Sequence, residues 1–261
     1  MMIQTMTLMT TSKIAIIITA AGSSTRIGGG IKKEYLPFQD GTVISTCIKT
    51  FLQTLLPNQK LINFVITTPV GGIENSKKAV FSDSEIKSLL EKNKMQLQFV
   101  EGSSTRQSSV FNGLKEISKN TNKVFANNGN SENQQNHIVI IHDGARPFVS
   151  SKTIIDSVEA ALEFGASVPG ITPTDTQKQI TQDGFIEKHL ERKSLVAVQT
   201  PQCFEFEKLF QAHQKAILDD KEYTDDTEIW GKYCGNVKVV PGDSNNIKIT
   251  YPSDLERLKN D

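Results

Sequence analysis

The chain has 261 residues, and its 29 basic side chains balance its 29 acidic ones to give a formal net charge of zero. The length allows one large α/β domain or two small ones, and the lack of overall basic character argues against nucleic acid or an anionic membrane surface as a partner. The 3 cysteines have no C-x-x-C spacing, which argues against a disulfide framework or a zinc site and favours a reducing cytoplasm.

Two segments lie outside the regular pattern of the chain. Residues 1–12 have neither the basic start nor the continuous apolar centre of a secretory signal, and we expect a disordered lead-in there. Residues 120–136 are dominated by asparagine, glutamine and serine, which predicts a solvated loop insertion. No stretch approaches the roughly 20 apolar residues that a membrane helix requires. Because the regular pattern resumes after the second segment, we expect a single domain over residues 13–261.

Short apolar runs alternate with amphipathic segments of helical length, which is typical of a doubly wound α/β fold with a mostly parallel sheet. The apolar runs predict strands at 14–19, 61–67, 96–100, 137–142 and 166–171. The amphipathic segments predict helices at 43–55, 84–92, 106–118 and 152–164. Such sheets bind ligands at the carboxyl ends of their strands. Three of these ends carry polar clusters, namely AAGSSTR at 20–26, EGSSTRQSSV at 101–110 and HDGARPF at 142–148.

The first cluster predicts a nucleotide site. Its small residues let backbone N–H groups approach a polyphosphate, and Arg26 and Lys33 place positive charge nearby. A Walker-type P-loop is excluded because Lys33 is followed by Glu34, where a hydroxyl is required. The glycine spacing also fails to match a dinucleotide-binding fingerprint.

Eight segments together resemble the 2-C-methyl-D-erythritol 4-phosphate cytidylyltransferase family. In chain order they are AAGSSTR, KKEYL, GSSTRQSSV, HDGARPF, TDT, LVAVQTPQCF, YTDDTEIW and NNIKIT, and the resemblance as a whole runs from about residue 14 to residue 258. The resemblance implies a Rossmann-like, nucleotidyltransferase-A fold with a protruding β-arm. It also implies a reaction of CTP with methylerythritol phosphate that releases pyrophosphate, in the non-mevalonate isoprenoid pathway.

The expected reaction brings two anions together. A phosphate monoester is mostly dianionic near neutral pH, with a second pKa of about 6, so it needs no general base to attack. Catalysis then comes from cations and from alignment. The resemblance assigns this work to Mg²⁺ and to four side chains: Arg26, Lys33, Arg192 and Lys248. Where the family has Pro-Lys-Gln, this chain has Lys32-Lys33-Glu34, so the lysine that faces the phosphates is open, and spacing to Tyr35 favours Lys33.

Small residues are expected around the cytosine, because reading its amino group requires close backbone approach. The resemblance implies nucleotide contacts at Ala20, Ala21, Gly22, Gly102, Arg106, Ser109 and Asp143. Ser109 could instead make a local bond near a helix start, and Arg106 could brace its own loop.

The resemblance also implies a metal ligand and contacts to the alcohol phosphate. Asp143 follows a predicted strand and is a reasonable ligand for Mg²⁺, which accepts one or two carboxylates; a structural clip to Arg146 is the alternative. Thr176, Thr200 and Arg146 are expected near the second substrate, although either threonine could be an ordinary turn residue. A plain charged hairpin surface competes with the catalytic role of Arg192.

Residues 172–198 alternate around a Gln-Asp-Gly turn and predict a β-hairpin arm. An isolated two-stranded arm is marginally stable, so it needs a partner surface. The resemblance supplies a second subunit, and we expect a homodimer in which the arm carries Arg192 into the neighbouring site.

Two other functions stay open at this point. One is a cytidylyltransferase of the same fold that acts on ribitol 5-phosphate, and the other is a nucleotide-binding relative without turnover. YTDDTEIW and the arm sequence favour methylerythritol phosphate. The joint presence of Arg26, Lys33, Asp143 and Lys248 argues against loss of turnover.

Overall fold

The computed structural model describes residues 12–28, 30, 32–57, 60–126, 137–219 and 221–256. The strands are β1 (Lys13–Thr19), β2 (Pro37–Phe38), β3 (Gly41–Thr42), β4 (Lys60–Thr68), β5 (Leu97–Glu101), β6 (His137–Asp143), β7 (Ala166–Ile171), β8 (Lys178–Ile180), β9 (Ile186–His189), β10 (Ala197–Val198), β11 (Gln202–Glu205) and β12 (Lys238–Pro241). The helices are α1 (Val43–Leu55), α2 (Ile73–Val80), α3 (Ser84–Lys92), α4 (Arg106–Ala126), α5 (Ser151–Phe164), α6 (Phe206–Ala216) and α7 (Asp226–Tyr233).

The central sheet has the strand order β10-β7-β11-β6-β1-β4-β5, with β12 also paired to β7. β1 lies parallel to both β4 and β6, and β11 runs antiparallel to β6 and β7. Register aligns Thr19 with Thr67 on one side and with Asp143 on the other. The carboxyl ends of three central strands therefore meet at one edge of the sheet.

The central strand is buried on both faces because its apolar run is continuous. Ile14, Ile16 and Ile18 pack with α1, α2, α3 and α5 on one face, whereas Ala15 and Ile17 pack with α4 and α6 on the other. This is the pattern expected of a parallel strand covered by helices on both sides. The predicted α/β fold class is confirmed.

The arm forms a sheet of its own. β8 and β9 pair antiparallel around a turn in which Gly184 has φ of +85°. Almost all of residues 179–198 are exposed, including Ile180, Phe185 and Ile186. A hairpin with this many exposed apolar side chains lacks a core of its own.

Several elements differ from the sequence predictions. The helix expected at 106–118 continues to Ala126, so the loop prediction is wrong for residues 120–126, while 127–136 lie outside the described residues. Helices α2, α6 and α7 and the antiparallel strand β11 were not predicted. Ser12, assigned to the disordered lead-in, is buried, and residues 1–11 lie outside the described range. Within the described ranges, no helix has the length and apolar character to cross a membrane.

Candidate active site

A cleft of about 420 Å³ opens at the carboxyl edge of the sheet. Its walls come from the loop after β1, the turn at 33–34, the segment from 103 to the start of α4, the end of β6 and the segment 248–250. Eight of the predicted site residues line it: Ala21, Gly22, Arg26, Lys33, Arg106, Ser109, Asp143 and Lys248. Motifs that are separated by more than 200 residues in the chain therefore share one cavity.

Small residues support the predicted nucleotide loop, which is residues 20–26 after β1. Ala20 is buried in the core, and its N–H donates to the Thr67 carbonyl at 3.1 Å. Gly102 is packed so closely that an added Cβ would lie 2.3 Å from the Ala21 side chain and 2.8 Å from the Ser109 hydroxyl. Ala20 and Gly102 thus shape the site from below rather than lining it.

Lys33 is the lysine that faces the cleft. It is the first residue of a short 3-10 turn and is 8% exposed, and burial lowers the pKa of its ammonium group, a shift that the charge of Glu34 opposes. Lys32 instead pairs with the Glu34 carboxylate at 2.9 Å and does not line the cleft. The spacing argument for Lys33 agrees with this arrangement.

Asp143 holds the cations of the cleft in place. Its Oδ2 accepts from Lys248 Nζ at 2.9 Å and from Arg146 Nε at 3.4 Å, and its Oδ1 accepts from the Thr19 hydroxyl at 3.3 Å. Burial alone would raise the pKa of this carboxyl, but Lys248, Arg106 and Arg146 hold it well below its usual range. Asp143 is therefore a carboxylate of the cleft. It also makes the structural contact to Arg146 that was the alternative to a role as a metal ligand.

Thr200 lies directly beneath Asp143. Its hydroxyl accepts from the Asp143 N–H at 3.1 Å and lies 3.0 Å from Nδ1 of the buried His142. Burial lowers the pKa of His142 to about 3, so the ring is neutral at physiological pH. Thr200 does not line the cleft, and its expected contact to the second substrate stays a prediction.

The structure also reveals a carboxylate that the sequence did not single out. Arg106 donates to the fully buried Asp226 at 2.7 Å, and His213 Nε2 lies 3.0 Å from the other oxygen of Asp226. Burial disfavours the charge of Arg106, but Asp226 and Asp143 outweigh burial and raise its pKa. Asp226 belongs to the YTDDTEIW segment, which contributed to the family resemblance. The segment alone did not indicate that Asp226 pairs with Arg106.

Substitution Asp226→Asn is expected to weaken CTP binding about tenfold and to destabilise the fold, because breaking one side of a buried ion pair costs roughly 3–5 kcal/mol. The amide cannot accept from both Arg106 and His213, so Arg106 loses its anchor. Calorimetric titration with CTP and thermal melting measure the two effects. Glu116→Gln, in the exposed pair with Lys119, is the control. Unchanged CTP affinity in a folded Asp226→Asn protein would contradict the anchoring role.

Thr176 and Arg192, two of the predicted site residues, do not line this cavity. Both are exposed on the arm. Arg192 Nη1 donates to the Thr174 carbonyl at 2.7 Å. The Ser109 hydroxyl donates to the Thr105 carbonyl at 2.8 Å and accepts from the Ser103 N–H at 2.9 Å. Ser109 thus makes local bonds near the start of α4, which were the alternative to a nucleotide contact.

The donor set suits a cation that arrives with a nucleotide. No cluster of three or more histidine, cysteine, aspartate or glutamate side chains suitable for a metal occurs among the described residues. Asp143 is an ionised carboxylate in the cleft. Mg²⁺ uses one or two carboxylates and takes its other ligands from phosphates and water. One carboxylate in a cleft that is predicted to bind a polyphosphate therefore fits Mg²⁺.

The comparisons with known proteins agree with one another. The family model for 2-C-methyl-D-erythritol 4-phosphate cytidylyltransferase matches residues 14–259. A protein of that name from Clostridium novyi (strain NT) is 34% identical over 244 residues, which cover 94% of each chain. One from Clostridium botulinum (strain Eklund 17B / Type B) is also 34% identical, covering 93% of this chain and 96% of the relative.

Solved structures support the same assignment. The crystal structure of 4-diphosphocytidyl-2C-methyl-D-erythritol synthase from Anaerococcus prevotii DSM 20548 matches with a TM-score of 0.74 at 25% identity and covers 97% of each chain. The Francisella tularensis 2-C-methyl-D-erythritol 4-phosphate cytidylyltransferase has a TM-score of 0.67 at 25% identity, covering 95% of this chain and 98% of that one. Because the family match takes in every segment that lines the cleft, the chain belongs to the 2-C-methyl-D-erythritol 4-phosphate cytidylyltransferase family, as its motifs predicted.

Proposed function

We propose that the chain transfers the cytidylyl group of CTP to 2-C-methyl-D-erythritol 4-phosphate, releasing pyrophosphate, in isoprenoid biosynthesis. The observation that carries the proposal is the cleft that gathers Arg26, Lys33, Asp143 and Lys248 in a member of this family. A site that must bring a phosphate monoester to a triphosphate needs a concentration of fixed positive charge.

The reaction forms one bond and breaks one. A phosphate oxygen of the alcohol phosphate attacks the α-phosphorus of CTP, and the bond from that phosphorus to the oxygen bridging to the β-phosphorus breaks. Pyrophosphate leaves with the electron pair. Because the attacking oxygen is already anionic, no side chain has to remove a proton. The protein contributes alignment and charge.

Each cation of the cleft has a distinct position for this work. Lys33 is almost buried beside the nucleotide loop, where it can stabilise charge on the α-phosphate and on the leaving pyrophosphate. Arg26 is exposed at the rim, with its guanidinium 5.8 Å from the centre of the Tyr251 ring. Lys248 is held by Asp143 and is half-exposed towards the cavity. Asp143 would hold Mg²⁺, which would supply positive charge to the phosphate groups.

We further propose a homodimer in which the arm completes the neighbouring site. The arm carries exposed Ile180, Phe185 and Ile186, and Val196 and Val198 at its base are 43% exposed. Burying these side chains against a second subunit would remove apolar surface from water. The same docking would bring Thr176 and Arg192 to a cleft that lacks them, where they would hold the alcohol phosphate.

The decisive test is pyrophosphate release by the purified protein with CTP and Mg²⁺. Release is expected with methylerythritol phosphate and not with ribitol 5-phosphate. Lys33→Ala is expected to lower kcat/KM by about 10²- to 10³-fold, the cost typical of losing one group that stabilises transition-state charge. Lys152→Ala, which removes an exposed cation of α5, is the matched control. Release with ribitol 5-phosphate alone would change the proposed substrate, and release with neither would contradict the proposed activity.

A further inference from the structure

The residues that depart from the family pattern form a connected set of contacts. Glu34 is buried, and its Oε2 lies 2.9 Å from Lys32 Nζ. The same oxygen accepts from the Ser24 hydroxyl at 3.3 Å. Lys32 Nζ also donates to the carbonyl oxygen of Gly22. The pair thus contacts the nucleotide loop at two of its residues.

These contacts join the 32–34 segment to Gly22 and Ser24 of the loop after β1. Ser24 has a φ of +56°, a left-handed conformation that is unfavourable for a residue with a side chain. Its hydroxyl accepts from the Lys33 N–H at 3.3 Å while donating to Glu34, so it joins the loop to the turn. Apart from its chain neighbours, no atom of the described residues lies within 4 Å of a Cβ built on Gly22. The contacts of the 32–34 segment therefore add to the turn bond from the Ile27 N–H to the Ser24 carbonyl in holding the loop over the cleft.

We propose that Lys32 and Glu34 are a positioning pair that holds residues 22–24 in the conformation that receives the triphosphate of CTP. The inference rests on the proposed function for the identity of the nucleotide. Both members are required, since Lys32 fixes the Gly22 carbonyl and Glu34 fixes the Ser24 hydroxyl. A lone member would also be a poorly compensated charge in a mostly buried place, because the two side chains are 14% and 4% exposed.

The pair has a second consequence for the lysine between its members. The charged groups that act on Lys33 are Glu34 and Asp143, which raise its pKa, and Lys248 and Arg26, which lower it. Burial is the largest effect on the pKa of Lys33 and lowers it, and Glu34 opposes this more than Asp143 does. A carboxylate next to Lys33 therefore favours the charged ammonium among other cations, and a glutamine at the same position would lack this effect.

The test compares Glu34→Gln, Lys32→Met and the double variant by calorimetric titration with CTP and Mg²⁺. Each single variant is expected to weaken CTP binding by about tenfold, because the nucleotide loop has moved. Initial rates of pyrophosphate release, measured separately, are expected to show a KM for the alcohol phosphate that changes less than about twofold. The double variant is expected to be no better than either single variant, since contacting residues are not additive. Glu74→Gln and Lys77→Met, which remove an exposed ion pair of 2.8 Å on α2, are the matched controls and should leave CTP affinity unchanged.

Two outcomes would overturn the inference. If the double variant regained wild-type CTP affinity, the pair would only cancel charge and would not position the loop. If Glu34→Gln bound CTP as wild type does, the contact to Ser24 would be unimportant. Ser24→Ala, which keeps both charges and removes only the hydroxyl contacts, gives the same readout should Glu34→Gln fail to fold, and unchanged affinity there would likewise overturn it. Because binding is measured without turnover, a failure of the proposed transfer reaction would be seen separately; a wild-type protein that bound no CTP would overturn both.

Discussion

Asp143→Asn is expected to lower kcat/KM by about 10²- to 10³-fold, because one substitution removes the proposed metal ligand and the anchor of a catalytic lysine. Lys248 Nζ lies 2.9 Å from the Asp143 carboxylate, which is also bonded by Arg146. An amide of the same shape leaves both cations without their counter-charge. Lys248, Arg146 and Arg106 would then repel one another across the cleft.

The measurement is initial rates of pyrophosphate release at several Mg²⁺ concentrations, made well below the melting temperature. Breaking a buried charge cluster costs roughly 3–5 kcal/mol of folding stability, so a lower melting temperature is expected as well. Asp156→Asn, which removes an exposed ion pair with Lys152 on α5, is the control for charge alone. A folded Asp143→Asn protein that kept more than about a tenth of wild-type kcat/KM would contradict the central role of this carboxylate.

The same interactions are stable over the whole physiological pH range. The folded-state pKa of Asp143 lies below that of the unfolded chain, so its ion pairs contribute stability above the unfolded value of about 3.9. This contribution is lost only as pH falls through the depressed folded pKa. Loss of activity in mildly acidic solution would therefore not come from Asp143, and protonation of the substrate phosphate, with its pKa of about 6, is the expected cause.

The parts of the fold that could be predicted are those in which one local pattern decides the structure. The run Ile14–Ile18 is apolar at every position, and only a strand buried on both faces uses such a run fully. Once the strands were placed, the parallel topology brought their carboxyl ends together and so collected Gly22, Ser109 and Asp143. The location of the predicted nucleotide cleft could therefore be inferred from the positions of these residues at or just after the ends of the strands.

The remaining parts depend on contacts between distant residues. Arg106 and Asp226 are 120 positions apart, and nothing local pairs them. The error at residues 120–126 has a similar cause, because the asparagine-rich composition favours a loop when considered alone. In the structure, Val110, Leu114 and Ile117 bury one face of α4, and a helix already formed extends at little further cost. Packing of residues 110–117 and extension of the helix therefore outweigh the local preference at 120–126.

The second large effect concerns the arm and its proposed partner subunit. Arg192→Ala and Lys33→Ala are each expected to lose nearly all activity as homodimers, since one lacks the arm arginine in both sites and the other lacks the cleft lysine in both. Arg192 is exposed on the arm and does not line the cleft of its own subunit. If the neighbouring arm completes each site, a heterodimer of the two variants has one site with both residues intact.

That heterodimer, isolated through a different tag on each subunit, is expected to recover about half of wild-type activity, because one of its two symmetric sites is complete. A heterodimer of Lys33→Ala with a Lys33→Ala/Arg192→Ala double variant contains no complete site and serves as the control. Recovery is impossible if Arg192 acts within its own subunit, since every site would then lack either the lysine or the arginine. An inactive mixed dimer would thus place Arg192 in its own cleft. A fully active Arg192→Ala homodimer would instead place Arg192 outside catalysis and reduce the arm to a charged surface hairpin. Recovery by half, seen only with the complementary pair, requires that Lys33 and Arg192 reach one substrate from two subunits.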